Sequence, residues 1–247
     1  MRILPVIDLM RGVVVRGIAG RRETYAPLES RLAADARPAT IARALAERGA
    51  LDCYVADLDA IAGAEPVWAI YRELIDVGLR PWVDAGCRDA TAAAALADFE
   101  HAGTGFQRII VGLESLASVD SWQAIRGAVG AERLVFSLDL KDGVPLAQPG
   151  VWPGASSEGI AREVLAGGAR GIIILDLAAV GGYGGPATLA LCERVRAQWP
   201  HVEIISGGGA REEADLAKFA AAGCDYVLVA SALHDGRITL STDVRGR

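Results

Sequence analysis

The sequence contains few of the residues that bind metals or form disulfides. Among its 247 residues are only four cysteines and three histidines. The cysteines are Cys53, Cys87, Cys192 and Cys224. Zinc and redox motifs use closely spaced pairs, and these cysteines are far apart, so we expect four free thiols. The histidines show no ligand spacing either, and we therefore expect no metal site.

Long apolar runs and an excess of positive charge are also absent. No apolar stretch reaches the roughly 18 residues that a membrane-spanning helix requires, and the first ten residues lack the apolar core of a signal peptide. The net charge of −6 and the pI near 5.2 argue against a clustered basic surface of the kind that binds nucleic acids. We therefore expect a cytoplasmic protein that binds neither membranes nor nucleic acids. A homo-oligomer is compatible with the sequence, which does not determine the oligomeric state.

What the sequence does contain is a series of short apolar runs separated by alanine-rich, amphipathic segments. Hydrophobic residues make up 52% of the chain. The predicted strands are Ile3–Asp8, Cys53–Asp57, Pro81–Asp84, Arg108–Val111, Leu134–Asp139, Gly171–Asp176, Glu203–Ser206 and Tyr226–Val229. Eight such strands alternating with helices predict a single-domain α/β protein, a (β/α)8 TIM barrel. An open Rossmann-type sheet is the alternative, but no GxGxxG follows the first strand.

The two halves of the chain resemble each other. In the same order, "IDLMRGVV" matches "LDLKDGVP", "DLDAIAGAEP" matches "DLAAVGGYGGP", "DAGCRD" matches "GGGARE", and "IIVGLES" matches "VLVASAL". Four matches in one order predict that the barrel consists of two duplicated half-barrels, about residues 1–123 and 124–247.

The repeat places an aspartate at the end of the first strand in each half. These residues, Asp8 and Asp139, would lie at the C-terminal face of the barrel, where active sites of this fold occur. Two carboxylates across one pocket can act as acid and base when their surroundings separate their pKa values. Asp176, at the end of the sixth strand, is a third candidate for catalysis. Alternatively, such aspartates accept hydrogen bonds from the backbone of the following loop.

Glycine-rich turns predict phosphate binding, because backbone amides can approach an anion there and a following helix adds a favourable dipole. The candidate ligands in the second half are Gly207, Gly208, Gly209, Arg211 and Ser231. Those in the first half are Gly86, Arg88 and Gly112. The first-half pattern is weaker, because Asp84 replaces a glycine and Glu114 adds negative charge. Glycines also form tight turns without any ligand.

These motifs together resemble those of the HisA/HisF family of histidine biosynthesis over nearly the whole chain. The similar segments are "PVIDLMRGVVVRG", "YVADLDAIAG", "DAGCR", "SLDLKDG", "ISGGGA" and "VASAL". The resemblance implies a cofactor-free isomerase that performs an Amadori rearrangement on an aminoaldose with two phosphates, or a cyclase that receives ammonia from a glutaminase. It gives the role of base to Asp8 and a role in substrate binding to Asp139.

The chain departs from the family pattern after the sixth strand. The family pattern at this point is Thr-Asp-x-x-x-Asp-Gly-Thr, whereas this chain has "LDLAAVGGY". In an alignment without gaps, Leu175 takes the place of the threonine and Val180 that of the catalytic aspartate. A valine cannot transfer a proton, and Asp139 or Asp176 would have to act as the acid.

Three functions therefore remain open. The first is a HisA-like isomerase of a phosphorylated sugar or ribotide, in histidine biosynthesis. The second is a diverged enzyme of another pathway, such as the biosynthesis of the one-carbon cofactors methanopterin and methanofuran. The third is a barrel that binds phosphorylated metabolites without catalysis, which the loss of the Asp-Gly-Thr turn would favour.

Overall fold

Eight parallel strands close into a barrel in the computed structural model, which describes residues 1–182 and 185–240. The barrel strands are β1 (Arg2–Met10), β3 (Asp52–Asp57), β4 (Arg80–Asp84), β5 (Arg108–Gly112), β6 (Leu134–Lys141), β8 (Gly171–Asp176), β9 (Glu203–Gly207) and β10 (Tyr226–Val229). Each pairs with the next in this order, and β10 pairs with β1 to complete the ring. This confirms the predicted (β/α)8 barrel.

Helices follow the strands and cover the outside of the barrel. They are α1 (Pro38–Ala46), α2 (Leu58–Ile61), α3 (Trp68–Asp76), α4 (Ala90–Ala97), α5 (Val119–Val129), α6 (Ser157–Ala166), α7 (Leu189–Gln198), α8 (Glu213–Ala221) and α9 (Ser231–His234). In the described part of the chain, none of these helices has the length and apolar character needed to cross a membrane. All four cysteines are buried free thiols, as predicted.

The strands read as continuous apolar runs because both of their faces are covered. Alternate residues point into the barrel and outward to the helices, as the two-residue period of a strand requires. Ile173 belongs to the inner cluster, whereas its neighbours Ile172 and Ile174 belong to the outer one. All three are fully buried, and burying one such side chain contributes about 1.5–3 kcal/mol.

The same alternation decides which aspartates face the mouth of the barrel. Ala56, an inner residue, is aligned with both Asp8 and Asp84 in the sheet, so these two carboxylates share its level. Asp139 is aligned with Leu175, which packs against the inner cluster. Asp176 directly follows Leu175 and therefore points outward.

In each of the two predicted half-barrels, the first strand pairs with a short antiparallel strand that follows it. The arm β2 (Val13–Val15) pairs with β1, and β7 (Val144–Pro145) pairs with β6. The first arm leads into the long loop before α1, which returns over β2 through backbone hydrogen bonds at Val14 and Arg16. The duplication of the two halves stays a prediction. Tyr183 and Gly184 of its "DLAAVGGYGGP" segment, and the end of the second half from residue 241, lie outside the described residues.

Candidate active site

A cavity of about 460 Å³ opens at the C-terminal ends of the barrel strands. Every barrel strand or its following loop contributes a residue to the lining, including Asp8 from β1, Asp84 from β4 and Asp139 from β6. The structure thus brings the predicted pair Asp8 and Asp139 to one cavity and adds Asp84. This is the face of the barrel on which catalytic residues of this fold are found.

The carboxyl of Asp8 is close to half-protonated at neutral pH. Part of its surface remains open to the cavity, but burial by the surrounding protein raises the pKa of its carboxyl to about 7, against an opposing effect of Arg22. Its neighbours include Val180 and the hydroxyl of Tyr25, as their positions around Gly17 show. A carboxyl with a pKa near neutrality can accept or donate a proton at physiological pH.

Asp139 and Asp84 form a second acidic group across the cavity. Burial, followed by the charges of Glu114 and Asp84, raises the pKa of Asp139 well above its ordinary value. Its Oδ1 accepts a hydrogen bond of 2.8 Å from the Ser137 hydroxyl. Burial also raises the pKa of Asp84 to about 7, although the Gly86 amide donates to its Oδ1 at 3.1 Å. From the sequence, Asp84 was interpreted as the replacement of a glycine, and only the strand register, which aligns it with the inner residue Ala56, places it inside.

Asp176 does not line the cavity. Its oxygens accept hydrogen bonds from the backbone N–H groups of Asp142 (3.1 Å), Gly143 (2.8 Å) and Ala178 (3.0 Å). Asp57, its counterpart in the sequence repeat, likewise accepts from Ala60 at 3.2 Å. The alternative reading of these aspartates, as acceptors that organise a loop, therefore describes the contacts of Asp176.

We expect the variant Asp176→Ala to lose stability rather than chemistry. Without the carboxylate, three partly buried N–H groups lose their acceptor, which should lower the free energy of unfolding by about 1–3 kcal/mol. Urea denaturation measures this loss. The free energy of unfolding of Asp176→Asn, which keeps one acceptor oxygen, should lie between those of the wild type and Asp176→Ala. A drop in kcat of more than about a hundredfold, with stability unchanged, would instead make Asp176 a proton-transfer group.

The turn after β9 forms a glycine cradle at the other side of the cavity. Gly208 and Gly209 line the cavity with φ angles of +75° and +82°, which side chains other than glycine rarely adopt. A Cβ on Gly209 would lie 2.2 Å from the Gly185 carbonyl oxygen. Of the other predicted second-half ligands, Arg211 and Ser231 also line the cavity, whereas Gly207 ends β9 behind them.

Two arginines that sequence reasoning missed lie beside this cradle. Arg16 reaches from the segment after β2 to Asp235, with a distance of 2.6 Å between Nη2 and Oδ1. Arg237 contacts the same carboxylate at 2.8 Å, and all three side chains belong to the cavity lining. Nothing in the sequence around Arg16 indicated that it lines the cavity. The folded arm brings Arg16 to Asp235, which is far from it in the chain.

The predicted first-half phosphate ligands are not part of the cavity lining. The Gly86 amide already donates to Asp84, and the exposed Arg88 donates to the Ile61 carbonyl at 3.2 Å. Gly112 lies beneath the carboxylates of Asp84 and Asp139. This end of the cavity is therefore acidic, where the sequence repeat predicted a second anion site.

An apolar wall replaces the polar residues expected after β8. Leu175 and Val180 both line the cavity, at the positions that the sequence comparison gave to a threonine and a catalytic aspartate. Val180 lies near Asp8, and its side chain, which has no ionisable group, cannot exchange a proton with a substrate. Among the described residues, no three His, Cys, Asp or Glu side chains are placed to hold a metal ion.

Known proteins similar to this chain match it over nearly its full length. An uncharacterized protein of Methanocaldococcus jannaschii is 30% identical, covering 97% of this chain and 96% of its own. The 1-(5-phosphoribosyl)-5-((5-phosphoribosylamino)methylideneamino)imidazole-4-carboxamide isomerase of Thermus thermophilus is 29% identical over 99% of both chains. The Xanthomonas campestris protein of the same name is 30% identical over 96% of both chains.

The named relatives are isomerases, which confirms the prediction that this chain is an isomerase and leaves its substrate open. A family model described as "Histidine biosynthesis protein" matches residues 2–239, in agreement with the predicted resemblance. The chain belongs to the histidine biosynthesis protein family.

Proposed function

We propose that the protein is a HisA-like, cofactor-independent isomerase that performs an Amadori-type aldose–ketose rearrangement on a phosphorylated sugar or ribotide. The observation that carries this proposal is the carboxyl of Asp8, which faces the cavity with a pKa near neutrality. Such a rearrangement moves a proton between neighbouring atoms of one substrate, so a positioned acid and base can suffice.

The environments of the two carboxyls support a division of roles. Asp139, whose pKa is raised well above its ordinary value by burial and by its acidic neighbours, takes the role of the acid and donates a proton to the ring oxygen as the sugar opens. Asp8, ionised in about half of the molecules at neutral pH, removes the proton from the carbon beside the imine and returns it to the former imine carbon. The enol hydroxyl then gives its proton back to Asp139 as the ketone forms. Tyr54, whose hydroxyl lies 3.4 Å from Asp84, lines the same cavity and can orient the substrate.

The glycine cradle supports a phosphorylated substrate. Gly208 and Gly209 bring main chain to the cavity lining, where backbone N–H groups can bind an anion, and Ser231 adds a hydroxyl at the start of α9. Arg16 and Arg237 provide positive charge at the same side, shared with Asp235. Phosphate sites of this fold are commonly built from these two loops.

The substrate named for the relatives carries two phosphoribosyl groups, and it is the first candidate for this chain. The second candidate is a different phosphorylated metabolite, as would fit another pathway such as methanopterin or methanofuran biosynthesis. It is favoured by the apolar wall of Leu175 and Val180 and by the carboxylates of Asp84 and Glu114 in the place of a second anion site.

Complementation of a histidine auxotroph that lacks the isomerase separates these candidates. Growth would support the histidine role, and Asp8→Asn should abolish it. If the soluble protein fails to restore growth and the purified protein fails to convert the relatives' substrate, the substrate is another phosphorylated metabolite. The third function, a barrel that binds without catalysis, would be indicated by a different result. In that case phosphorylated ligands bind, but the Asp8→Asn and Asp139→Asn variants lose no measurable turnover relative to the wild type in any assay.

A further inference from the structure

The two sides of the cavity have opposite chemical character. Around the closed ring, β4 and β5 stand four positions from β9 and β10, so the loops of these pairs face each other across the mouth. The β9–β10 side presents the cavity-lining residues Gly208, Gly209, Ser231, Arg16 and Arg237. The β4–β5 side presents Asp84 and Glu114, with Asp139 from β6 beside them.

Three oxygens converge on the space above Gly112 at the acidic side. A Cβ built on Gly112 would lie 3.3 Å from Oδ2 of Asp84, 3.4 Å from Oδ2 of Asp139 and 3.8 Å from the Ser115 hydroxyl oxygen. Ser115 is 8% exposed, and its hydroxyl has no hydrogen-bond partner among the described residues. A buried hydroxyl without a partner is costly, and this one lies near the same point as the carboxyl oxygens of Asp84 and Asp139.

The charges at this side are only partly balanced by the protein. Arg22 forms an ion pair of 2.5 Å with Glu114, and it acts on Asp84 and Asp139 only at longer range. Among the described residues, Asp84 accepts hydrogen bonds from the Gly86 amide and the Tyr54 hydroxyl, which are both neutral. A phosphate placed here would be repelled by the carboxylates of Asp84 and Glu114, whereas a cation would be attracted.

We propose that the substrate carries a single phosphate, held by the β9–β10 loops, and a protonated amine, held at the opposite side by Asp84 and Glu114. This inference rests on the proposed function for its phosphate end. Asp84 accepts a charge-assisted hydrogen bond from the ammonium group, and Asp139 keeps its proton as the acid. Gly112 contributes by having no side chain in the space where these oxygens meet.

Binding of simple probes to the wild-type protein tests the inference. Titration calorimetry would compare a series of ω-aminoalkyl phosphates of increasing chain length with alkyl phosphates and alkane bisphosphates of equal length. We expect the best aminoalkyl phosphate to bind about tenfold or more tightly than either counterpart, because one added charge-assisted contact corresponds to about one power of ten. Tighter binding of the bisphosphate would overturn the inference.

The same titrations distinguish this inference from the proposed function. If inorganic phosphate and alkyl phosphates bind but the amine adds no affinity, the inference fails and the proposed function stands. If inorganic phosphate and every phosphorylated probe fail to bind, the phosphate end is absent and both proposals fail.

Variants locate the amine subsite. Gly112→Ala fills the space between the carboxylates without changing any charge, and Gly112 has no positive φ that would strain an alanine. It should remove the advantage of the amine while leaving the affinity for inorganic phosphate unchanged. Gly127→Ala, in α5 with open space around it, is the matched control and should change neither. Asp84→Asn should also abolish the tighter binding of aminoalkyl phosphates relative to alkyl phosphates. If this difference in affinity is unchanged in both Gly112→Ala and Asp84→Asn, the inference is overturned.

Discussion

Replacing Asp8 with asparagine is expected to lower kcat by about 10²–10⁴-fold, the usual contribution of a general acid–base group. The amide has nearly the shape of the carboxyl, so the cavity should keep its form and KM should change little. The Asp8 carboxyl faces the cavity with a pKa near 7, and no carboxyl at the Val180 position can replace it. Steady-state kinetics on the substrate that the wild-type protein converts measures the loss.

The same variant should be more stable than the wild type at alkaline pH. The folded pKa of Asp8, about 7, exceeds the unfolded value near 3.8, so the folded state binds this proton more tightly. Stability contributed by this group is therefore present below its unfolded pKa and lost as the pH rises toward its folded pKa. Above that pH the wild type keeps a buried charge that asparagine avoids.

Thermal denaturation across a pH series measures this effect. Each unit of pKa shift corresponds to about 1.4 kcal/mol, so we expect a gain of at least about 1 kcal/mol, or roughly 2–4 °C in Tm, above pH about 7. Near pH about 4 the two proteins should melt alike, because Asp8 is then protonated in the folded state. Asp98→Asn, at an exposed site, controls for the loss of one negative charge. Loss of stability at alkaline pH together with full activity would contradict both assignments.

Replacing Gly209 with alanine should disrupt the turn that we propose to bind phosphate. The added Cβ would lie 2.2 Å from the carbonyl oxygen and 2.3 Å from the carbonyl carbon of Gly185, so the backbone of one of the two loops must move. The φ angle of +82° adds about 1–2 kcal/mol for an alanine. Together, strain and overpacking should lower the free energy of unfolding by about 2–5 kcal/mol.

Binding of inorganic phosphate should fall by about tenfold or more in this variant, since the displaced amides no longer converge on one anion. Gly78→Ala is the matched control, because Gly78 has a φ of +91° but nothing within 4 Å of the added Cβ. In this control, the free energy of unfolding should fall only by the cost of a positive φ for alanine, about 1–2 kcal/mol, and the affinity for phosphate should not change. Equal phosphate affinity in Gly209→Ala and the wild type would contradict the assignment of this turn to the anion.

The strands illustrate what a single sequence reveals most readily. Eight short apolar runs, five of which end in Asp, were sufficient to predict the barrel, because a strand covered on both faces is apolar along its whole length. The repeat also predicted that Asp8 and Asp139 meet at one cavity, since equivalent strands of two halves end at the same face. These features depend on local composition and on order along the chain.

Asp176 and Asp84 show where this reasoning stopped. Both end a strand, but Asp176 follows the inward-facing Leu175 and turns to loop amides, whereas Asp84 is level with the inner residue Ala56. Which carboxylate enters the cavity depends on the stagger between neighbouring strands, and a repeat motif does not encode that stagger by itself.

The sequence alone determined the barrel, the free thiols, the glycine turn after β9 and the aspartate at the end of β1, because each follows from the chemistry of a short segment. Only the tertiary structure decided that Arg16 and Arg22 reach the cavity, that Val180 leaves an apolar wall and that Asp84 and Glu114 replace a second anion site. These features join residues distant in the chain, and their electrostatic effect depends on burial, which exists only in the folded protein.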